Sequence, residues 1–586
     1  MKKQRTFKGK QSFLHGAMIL TIGMVIVKAV GALFKIPLAN IITENGMGYF
    51  GTAYNFYSVL YSLATAGFPV AIAKMVAENY SLGRFNDVRQ VKRVSMPIFL
   101  VTGSIGTVIM MLGARAYTNA VGNPNAFVPI LCLAPSIFFC CMMSIYRGYY
   151  EGLRNMYPTA VSEIIEALSK LIFGLAGALT AVWYCNKEFE SSGTVLGKVY
   201  SESQAVLTTY SVAASAAIIG VTLGSVLGFI YLVIYYRSIG DGITPYMYRG
   251  APKPHSGKSI AKKLVLIAIP IAIGSLVNSI ASLIDATFLQ RRLGVIMATP
   301  EAANVVLDMY RGHIPAECLA IPESIPNFLY GCYGNALTIY MLVSTITQAF
   351  GVSALPSLTE YWAKGDTKEV KASIESILRI TCLFCIPAGL GIVALSEPIA
   401  ALLYGSGSGT QIIGRILVIL GVAAIFAAVT TPISSMLQAV GRVDLPVKFL
   451  MVGLIIKITL NYILCGIPEV NVLGAGTGSL VCYLLLTALE LVALSRVTKV
   501  KFDIKTTFVK PFFCAVLCAL TAFGVRFAFG HFGISMRLAC LVGISAAVVV
   551  YSVSLLITKT LTKSDVLMLP KGEKIAKILE KRGWIG

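Results

Sequence analysis

The sequence predicts an all-α membrane protein that crosses the bilayer many times. Of its 586 residues 56% are hydrophobic and only 13% are charged, and the mean hydropathy is +0.76. Soluble globular domains carry about 25% charged residues, so this balance indicates a polytopic membrane protein. Apolar stretches long enough to cross hydrocarbon, which takes about 20 residues, also follow one another along almost the whole chain.

Fourteen apolar stretches qualify as transmembrane helices, each bounded by short polar or charged segments. The basic segment MKKQRTFKGK precedes a run that is too long for a signal peptide, so it predicts an uncleaved first helix. The fourteen stretches lie near residues 13–41, 48–79, 94–114, 126–150, 158–184, 205–236, 264–290, 328–356, 373–395, 411–438, 446–467, 471–495, 507–528 and 535–558.

The lysines and arginines predict how these helices are oriented. Most of the 49 basic residues lie in alternate connecting segments, beginning with the N-terminal one. Cytoplasmic loops carry the excess of lysine and arginine, so the pattern predicts an even number of helices with the N- and C-termini in the cytoplasm. The net charge of +22 is therefore an orientation signal, and no nucleic acid is expected as a partner.

An internal repeat divides the chain. Residues 66–88 (AGFPVAIAKMVAENYSLGRFNDV) align with 349–370 (AFGVSALPSLTEYWAKGDTKEV), which superposes Gly83 on Gly365. A shorter match pairs RNMYP at 154–158 with the RVDLP that begins at Arg442. Both matches fall at the same rank in two sets of six helices, an arrangement common in secondary transporters.

This repeat predicts two six-helix lobes joined by a charged linker that contains GAPKPHSGK. Two helices and an amphipathic tail follow the second lobe. The predicted domains are an N-terminal lobe (1–236), a cytoplasmic inter-lobe linker (237–263), a C-terminal lobe (264–495), a further helix pair (496–558) and a cytoplasmic amphipathic tail (559–586).

Two lysines in the first apolar stretch indicate a binding site. Lys28 and Lys35 lie well inside the stretch and are seven residues apart, so they project from one helix face. A cation at the bilayer centre costs roughly 2.5 to 3.5 kcal/mol on insertion scales, so such residues usually face a wet cavity. We predict that both lysines bind an anionic headgroup there. The alternative is that they snorkel or pair with a carboxylate.

The end of the fourth predicted helix carries three charged residues. Arg147, Glu151 and Arg154 follow a run of aromatic residues in SIYRGYYEGLRNMYP. They are predicted to lie at the cytoplasmic mouth, where a headgroup phosphate first meets the protein. A gate, a headgroup contact and plain positive-inside charge all remain open for them.

Two further sets of charges have helical spacing. Glu163, Glu166 and Lys170 are three and four residues apart, so they are predicted to neutralise one another on one helix face, with a cavity role as the alternative. Lys74 and Glu78 are four residues apart and are predicted to form a structural ion pair.

Several chemistries have no support in the sequence. The four histidines are isolated, no GxxxxGK[ST] motif is present, and most cysteines lie in apolar stretches. Cys318 and Cys332 share a predicted outer segment, where an oxidising exterior could pair them. A membrane-bound sugar-lipid ligase or polymerase would need catalytic groups in that segment, which offers Glu301, Asp308, Arg311, His313, Glu317 and Glu323.

Five segments together resemble a known family. In order and spacing, VKAVGALFKIPLANII, TAGFPVAIAKMVAE, YRGYYEGLRNMYPTAVSEIIEAL, ALPSL and MLQAVGRVDLP resemble the stage V sporulation protein B and polysaccharide-exporter branch of the multidrug/oligosaccharidyl-lipid/polysaccharide (MOP) flippase superfamily. This branch is related to the MurJ lipid II flippases. The resemblance implies two six-helix bundles in a V, as in MATE and MurJ proteins, with two extra C-terminal helices.

The resemblance also implies a function. It implies alternating-access export of undecaprenyl-pyrophosphate-linked oligosaccharide, either the peptidoglycan precursor lipid II or a polysaccharide repeat unit, across the bacterial cytoplasmic membrane. The protein would then be a transporter without a cofactor, surrounded by membrane lipids and in need of no obligate protein partner. The lipid tail is expected in the groove of the last two helices. The alternative within the superfamily is a cation-coupled multidrug exporter of the MATE type.

Carried over residue by residue, the family pattern is only partly present. Lys28-Ala-Val-Gly31 matches an R-x-x-G of MurJ proteins with lysine in place of arginine. Arginines expected on helices 2 and 8 are replaced by Tyr61 and Leu337. Lysine is a point charge without the bidentate fork of arginine, so the resemblance implies a differently built anion site.

Sodium-binding members of the MurJ group imply a cation site in the second lobe. Asp285, Asn461 and Thr477 match its ligands on helices 7, 11 and 12, whereas Cys465 stands in place of a second aspartate. These residues are the candidates for coupling to Na⁺ or H⁺, and no other metal is expected. A simple ion pair of Asp285 with Lys457 is the alternative.

Overall fold

The chain is almost entirely helical. The structure, a computed structural model, describes residues 13–65, 67–500, 502–558 and 560. Helices fill nearly all of these ranges, which confirms the predicted all-α class. Helices satisfy every backbone polar group within one segment, as hydrocarbon requires. The predicted tail lies outside the described residues except for Thr560.

Among the described residues up to 249, the structure has seven helices and one small hairpin. The hairpin pairs β1 and β2 antiparallel, with Thr194 opposite Val199. The elements are α1 (Phe13–Thr65), α2 (Phe68–Ser81), α3 (Phe85–Val121), α4 (Phe127–Gly152), α5 (Tyr157–Ser192), β1 (Thr194–Val195), β2 (Lys198–Val199), α6 (Glu202–Ile239) and α7 (Pro245–Arg249), with a 3₁₀ turn at Pro124–Ala126.

Eleven helices follow. A 3₁₀ turn at Pro322–Ser324 precedes α11, and a π-helical turn at Lys505–Val509 precedes α17. The helices are α8 (Gly257–Ala298), α9 (Pro300–Met309), α10 (Ala316–Ala320), α11 (Ile325–Ala363), α12 (Thr367–Ala394), α13 (Ser396–Tyr404), α14 (Thr410–Ala439), α15 (Asp444–Leu464), α16 (Leu473–Thr498), α17 (Lys510–His531) and α18 (Met536–Ile557).

Eleven stretches of the described residues are long and apolar enough to cross a membrane. The first of them, Ile22–Ser81, covers the first predicted helix from residue 22 onward and all of the second. The helices α8 and α11, of 42 and 39 residues, occupy the predicted positions 264–290 and 328–356. The number fourteen and the orientation of the termini stay predictions.

The first two predicted helices have different boundaries in the structure. Helix α1 runs through both, with a break at Thr43 (φ 57°), and ends at Thr65, so the second predicted helix is interrupted before α2 begins. Gly67 lies at the interruption, where a Cβ atom would come within 2.0 Å of the carbonyl oxygen of Ala268 on α8. Only glycine allows this approach, and Pro69 then suits the first turn of α2.

The chain packs into two compact units. Within the described residues, unit 1 comprises the chain up to Gly294 together with Ala316–Gly331, and unit 2 comprises Val295–Pro315 and the chain from Cys332 onward. Most of α8 therefore belongs to unit 1, although the sequence predicts it as the first helix of the second lobe. Its hydrogen bonds explain this position, because Ser279 contacts Ser62 at 2.5 Å across unit 1.

Buried amides join several elements at one end of unit 1. The Nδ2 of Asn123, after α3, donates to Gln290 Oε1 on α8 (3.1 Å) and to Asn327 Oδ1 on α11 (2.7 Å). Gln290 Nε2 donates in turn to Thr52 Oγ1 on α1 (3.1 Å). The four side chains are at most 8% exposed, so each depends on the others for hydrogen bonds.

A second polar cluster fixes the predicted linker at the opposite end of the helices. Asp241 follows α6 directly and is 6% exposed. Its carboxylate accepts from the hydroxyls of Tyr149 (3.1 Å) and Tyr248 (3.0 Å) and from Arg89 Nε (3.3 Å). Burial and this carboxylate raise the pKa of Tyr248 above its usual range. The predicted linker is thus an ordered segment that includes α7.

The first repeat has a counterpart in backbone geometry. After α2, Gly83 has φ 69°, and the N–H of the next residue donates to the carbonyl five residues back at 2.9 Å. After α11, Gly365 has φ 70°, and the same hydrogen bond measures 3.1 Å. The two turns therefore coincide at the predicted register.

The second repeat is shifted by one residue. Arg154 follows α4 with φ 59°, and Gly441 follows α14 with φ 83°. In both turns the next N–H donates to the carbonyl five residues back, at 2.9 Å. The structure thus aligns Arg154 with Gly441 rather than with Arg442, because the turn geometry and not the basic side chain is repeated.

Candidate functional site

Unit 1 contains a cavity lined by three basic side chains. It has a volume of about 320 Å³ and lies between α1, α4, α5 and α6. Lys28 comes from α1, Arg147 from α4 and Lys170 from α5. We call it the cationic cavity. The other lining residues are Met24, Val27, Gly31, Tyr54, Tyr61, Glu163, Glu166, Ala167 and Val221.

Arg147 is held in place by neighbours on α5. Its Nε donates to Ser162 Oγ at 2.9 Å, and one terminal nitrogen contacts Glu166 Oε2 at 3.1 Å. The arginine side chain is 14% exposed and the glutamate 28% exposed. A fixed guanidinium with further N–H groups is well suited to bind a phosphate oxygen.

Lys170 lies beside two aromatic rings. Its Nζ is 4.9 Å from the ring centroid of Phe34 and 5.5 Å from that of Tyr54. The predicted self-neutralising set of Glu163, Glu166 and Lys170 is therefore wrong in one respect, because Glu166 forms its salt bridge with Arg147 on another helix. The ammonium group of Lys170 stays at the cavity wall, where an anion would be attracted.

Lys35 lies about 10 Å further along α1 than Lys28, at 1.5 Å per residue. It is outside the lining of the cationic cavity, although Lys170 is within electrostatic range of it. The structure therefore brings to the cavity one of the two predicted lysines, Lys28, together with Arg147, which was predicted at the cytoplasmic mouth, and Lys170, for which a cavity role was the alternative.

A second cavity adjoins the first. It has a volume of about 350 Å³ and shares Tyr61, Arg147 and Glu163 with the cationic cavity. Its other lining residues are mostly hydroxyl side chains from α1, α4, α5 and α8, so we call it the hydroxyl cavity. These residues are Ser62, Thr65, Pro69, Ser144, Glu151, Thr159 and Ser275.

The three predicted gate residues separate in the structure. Arg147 and Glu151 both line the hydroxyl cavity, where Glu151 Oε1 accepts from Thr159 Oγ1 at 3.1 Å. Arg154 is exposed in the turn after α4, and its backbone N–H donates to the carbonyl of Glu151 at 2.9 Å. Its structural contribution is thus made by the backbone.

The predicted coupling residues belong to different units, and two of them, Asp285 and Asn461, are buried. Asp285 lies in unit 1 and is 8% exposed, whereas Asn461 in unit 2 is fully buried. The hydroxyl of Thr477, also in unit 2, donates to the carbonyl of Leu473 at 3.1 Å. Among the described residues, no three His, Cys, Asp or Glu side chains are grouped to hold a metal ion.

Two smaller predictions have outcomes in unit 1. The carboxylate of Glu78 binds Lys263 on α8, with both oxygens 2.9 Å from Nζ, so the predicted pair with Lys74 is wrong. The disulfide that the sequence allows between Cys318 and Cys332 is not formed, because Cys318 is a buried thiol whose Sγ lies 3.2 Å from Nδ2 of Asn45. For Glu78, the contact with Lys263 on another helix replaces the pair with Lys74 that the helical spacing predicts.

Unit 2 contains an apolar groove of about 440 Å³. It lies between α12, α14, α16 and the start of α17, and Thr487 is the hydroxyl residue in a lining of apolar side chains. Phe508 and Phe512 form its wall on the side of α17. A groove for a lipid tail was expected between the last two helices, whereas this one lies where α17 meets the bundle.

Two family models match the chain. The model described as "Polysaccharide biosynthesis protein" matches residues 13–297, and the model described as "Lipid II flippase MurJ" matches residues 329–554. Among individual relatives, "Lipid II flippase MurJ" of Bacillus subtilis (strain 168) is 25% identical over 464 residues, which are 76% of each chain. "Stage V sporulation protein B" of the same organism is 22% identical over 566 residues, 96% of this chain and 98% of that one.

Solved structures agree in fold. A MurJ structure in an inward closed conformation matches with a TM-score of 0.59 at 15% identity, and covers 92% of this chain and 98% of its own. An inward-facing MATE transporter of the MOP superfamily matches with a TM-score of 0.58 at 15% identity, and covers 82% of this chain and 99% of its own. The chain is thus similar in sequence to the MurJ lipid II flippase and to stage V sporulation protein B of Bacillus subtilis, and it shares its fold with the solved MurJ and MATE transporter structures.

Proposed function

We propose that this protein is an alternating-access flippase for a glycan linked through a diphosphate to a polyprenyl lipid, in a bacterial cytoplasmic membrane. The observation that carries the proposal is the meeting of Lys28, Arg147 and Lys170 in one cavity of unit 1. Cations at membrane depth are costly and mark substrate pathways. Three donors without acceptor capacity suit the oxygens of a diphosphate.

The apolar groove of unit 2 supports the lipid part of the substrate. Its volume and its lining of aliphatic and phenylalanine side chains suit an isoprenoid chain, which has no hydrogen-bonding groups. The exposed Phe513 and Phe527 on α17 extend the apolar surface on the same helix. The headgroup would occupy the cationic cavity of unit 1, and the isoprenoid tail would stay in contact with lipid.

A multidrug exporter is the second candidate, because Glu163 and Glu166 also line the cationic cavity. Carboxylates are what a cationic drug requires. The described lining has three basic side chains against these two carboxylates, however, and one of the carboxylates, Glu166, forms a salt bridge with Arg147. The charge balance therefore favours an anionic substrate. Coupling to Na⁺ or H⁺ through Asp285, Asn461 and Thr477 stays a prediction.

Native mass spectrometry of the protein purified from its own membranes tests the proposal. The wild type is compared with a Lys28→Ala, Lys170→Ala double variant and with Lys187→Ala, whose lysine lies exposed on α5 away from the cavity. A polyprenyl diphosphate glycan that co-purifies with the wild type and Lys187→Ala, and is lost in the double variant, is the expected result. No such lipid, or equal amounts in all three proteins, would refute the lysine site.

A further inference from the structure

The hydroxyl cavity differs from the cationic cavity in hydrogen-bonding character. Thr65 and Ser144 donate their hydroxyl hydrogens to carbonyls four residues back on their own helices, at 2.7 and 2.9 Å. Thr159 donates its hydrogen to Glu151. Each hydroxyl has one hydrogen, so these oxygens are left as acceptors toward the cavity. The carboxylates of Glu151 and Glu163 are acceptors as well.

The charged side chains of the two cavities differ in the same sense as their hydrogen-bonding groups. Among the described lining residues, the cationic cavity has three cations and two carboxylates, whereas the hydroxyl cavity has two carboxylates and one cation, Arg147. That cation already binds Glu166 and Ser162. The two adjoining cavities thus offer donors on one side and acceptors on the other, which fits a ligand with an acceptor-only part and a donor-rich part.

We infer that the hydroxyl cavity is the subsite for the sugar next to the diphosphate, and that it selects an uncharged, hydroxyl-rich sugar over an acidic one. The inference rests on the proposed function and adds the chemical class of the glycan. Sugar hydroxyls and amide N–H groups donate to the carboxylates of Glu151 and Glu163 in charge-assisted hydrogen bonds. A carboxylate on the sugar brings a like charge and no donor, so it is repelled there.

The shared residues fix the order of the two parts along the site. Tyr61, Arg147 and Glu163 line both cavities, so the bond between diphosphate and sugar lies beside them. The diphosphate then meets Lys28 and Lys170, and the sugar points toward Thr159 and Glu151 at the predicted cytoplasmic end of α4 and α5. A ligand without a sugar leaves the acceptor side empty and forgoes its hydrogen bonds.

Three synthetic lipids test the inference on the full-length protein in nanodiscs: a polyprenyl diphosphate without sugar, the same lipid with a neutral N-acetylhexosamine, and the same lipid with a hexuronic acid. Native mass spectrometry titration gives the three dissociation constants. We expect the neutral sugar to tighten binding at least about tenfold relative to the bare diphosphate, the value of one or two hydrogen bonds to a charged acceptor. We expect the acidic sugar to bind no more tightly than the bare diphosphate.

Isosteric variants locate the effect. Glu151→Gln keeps the side-chain volume at a residue that lines the hydroxyl cavity but not the cationic cavity. It should reduce the advantage of the neutral sugar and raise the affinity of the acidic one, with the affinity for the bare diphosphate changed less than either. Glu190→Gln, an exposed glutamate of α5, is the matched control and should change none of the three constants.

The outcomes separate the two proposals. Equal affinities for the bare and the neutral-sugar lipid, or an acidic-sugar lipid that binds as tightly as the neutral one, would overturn the sugar subsite while the diphosphate site stands. No binding of any of the three lipids to the wild type would overturn the proposed function itself.

Discussion

Replacing Lys170 by methionine tests the cationic cavity at a single group. Methionine keeps much of the length of the lysine side chain but removes the charge, which in the wild type lies 4.9 Å from the ring of Phe34. A hydrogen bond to a charged group contributes about 1.5 to 3 kcal/mol. Loss of one such contact should raise the dissociation constant for a bare polyprenyl diphosphate roughly 10- to 150-fold.

The same helix provides the control for this experiment. Lys187 is exposed near the C-terminal end of α5, and its Nζ lies 5.0 Å from the ring centroid of Trp183. Lys187→Met therefore removes a comparable cation–π contact outside the cavity. Titration in nanodiscs by native mass spectrometry measures both variants, and melting curves check that both are folded. A dissociation constant for Lys170→Met within threefold of the wild type, or an equal loss in Lys187→Met, would show that Lys170 does not contact the phosphate.

Three further changes test the scaffold of unit 1. Gly331→Ala places a Cβ atom 1.8 Å from the carbonyl oxygen of Glu44, so we expect the free energy of unfolding to fall by roughly 1 to 3 kcal/mol and the melting temperature with it. Gly334→Ala, with open space at its Cβ, should melt like the wild type, and equal melting temperatures of the two variants would contradict the packing. Asp241→Asn weakens the acceptor for Tyr149, Tyr248 and Arg89, so amide hydrogen exchange in residues 240–256 should become faster. An unchanged exchange rate would show that the cluster does not hold the linker. Asn123→Leu removes the donor to Gln290 and Asn327 and should lower the free energy of unfolding by about 1 to 3 kcal/mol for each acceptor left buried without a donor. Asn119→Leu, at an exposed position, is the control, and equal melting temperatures of the two variants would count against the network.

The helical class and two cavity residues, Lys28 and Arg147, could be predicted from the sequence. Apolar length decides which stretches become helices in a bilayer, and that property is local. Lys28 could be identified in the same way, because the cost of a charge inside an apolar stretch does not depend on which neighbours it has. Both conclusions use only the residues of one helix.

Partners across helices could not be predicted in this way. Helical spacing made Lys170 available to Glu166 and Lys74 available to Glu78, but each glutamate binds a basic residue of another helix, Arg147 in the first case. Pairs four residues apart contribute only about 0.2 to 0.5 kcal/mol, so a tertiary contact readily replaces them.

The hydroxyl cavity gave no signal in the sequence. Serine and threonine are ordinary in apolar helices, where their hydroxyl groups bond to the preceding turn. Ser144 and Thr65 do form that bond, and they line a cavity only because α1 and α4 bring them together. The tyrosine at position 61, where the family resemblance implies an arginine, lines both cavities.

The matching turns after α4 and α14 bear on how the chain arose. Arg154 holds a left-handed backbone that disfavours every residue except glycine, whereas its counterpart is Gly441. Duplication of a six-helix segment gives two identical copies, whose side chains then diverge while the turn and its hydrogen bond are kept. The ancestry of such a protein is better traced through its backbone geometry than through its amino-acid sequence. A search for half-length ancestors should therefore compare turns before it compares residues.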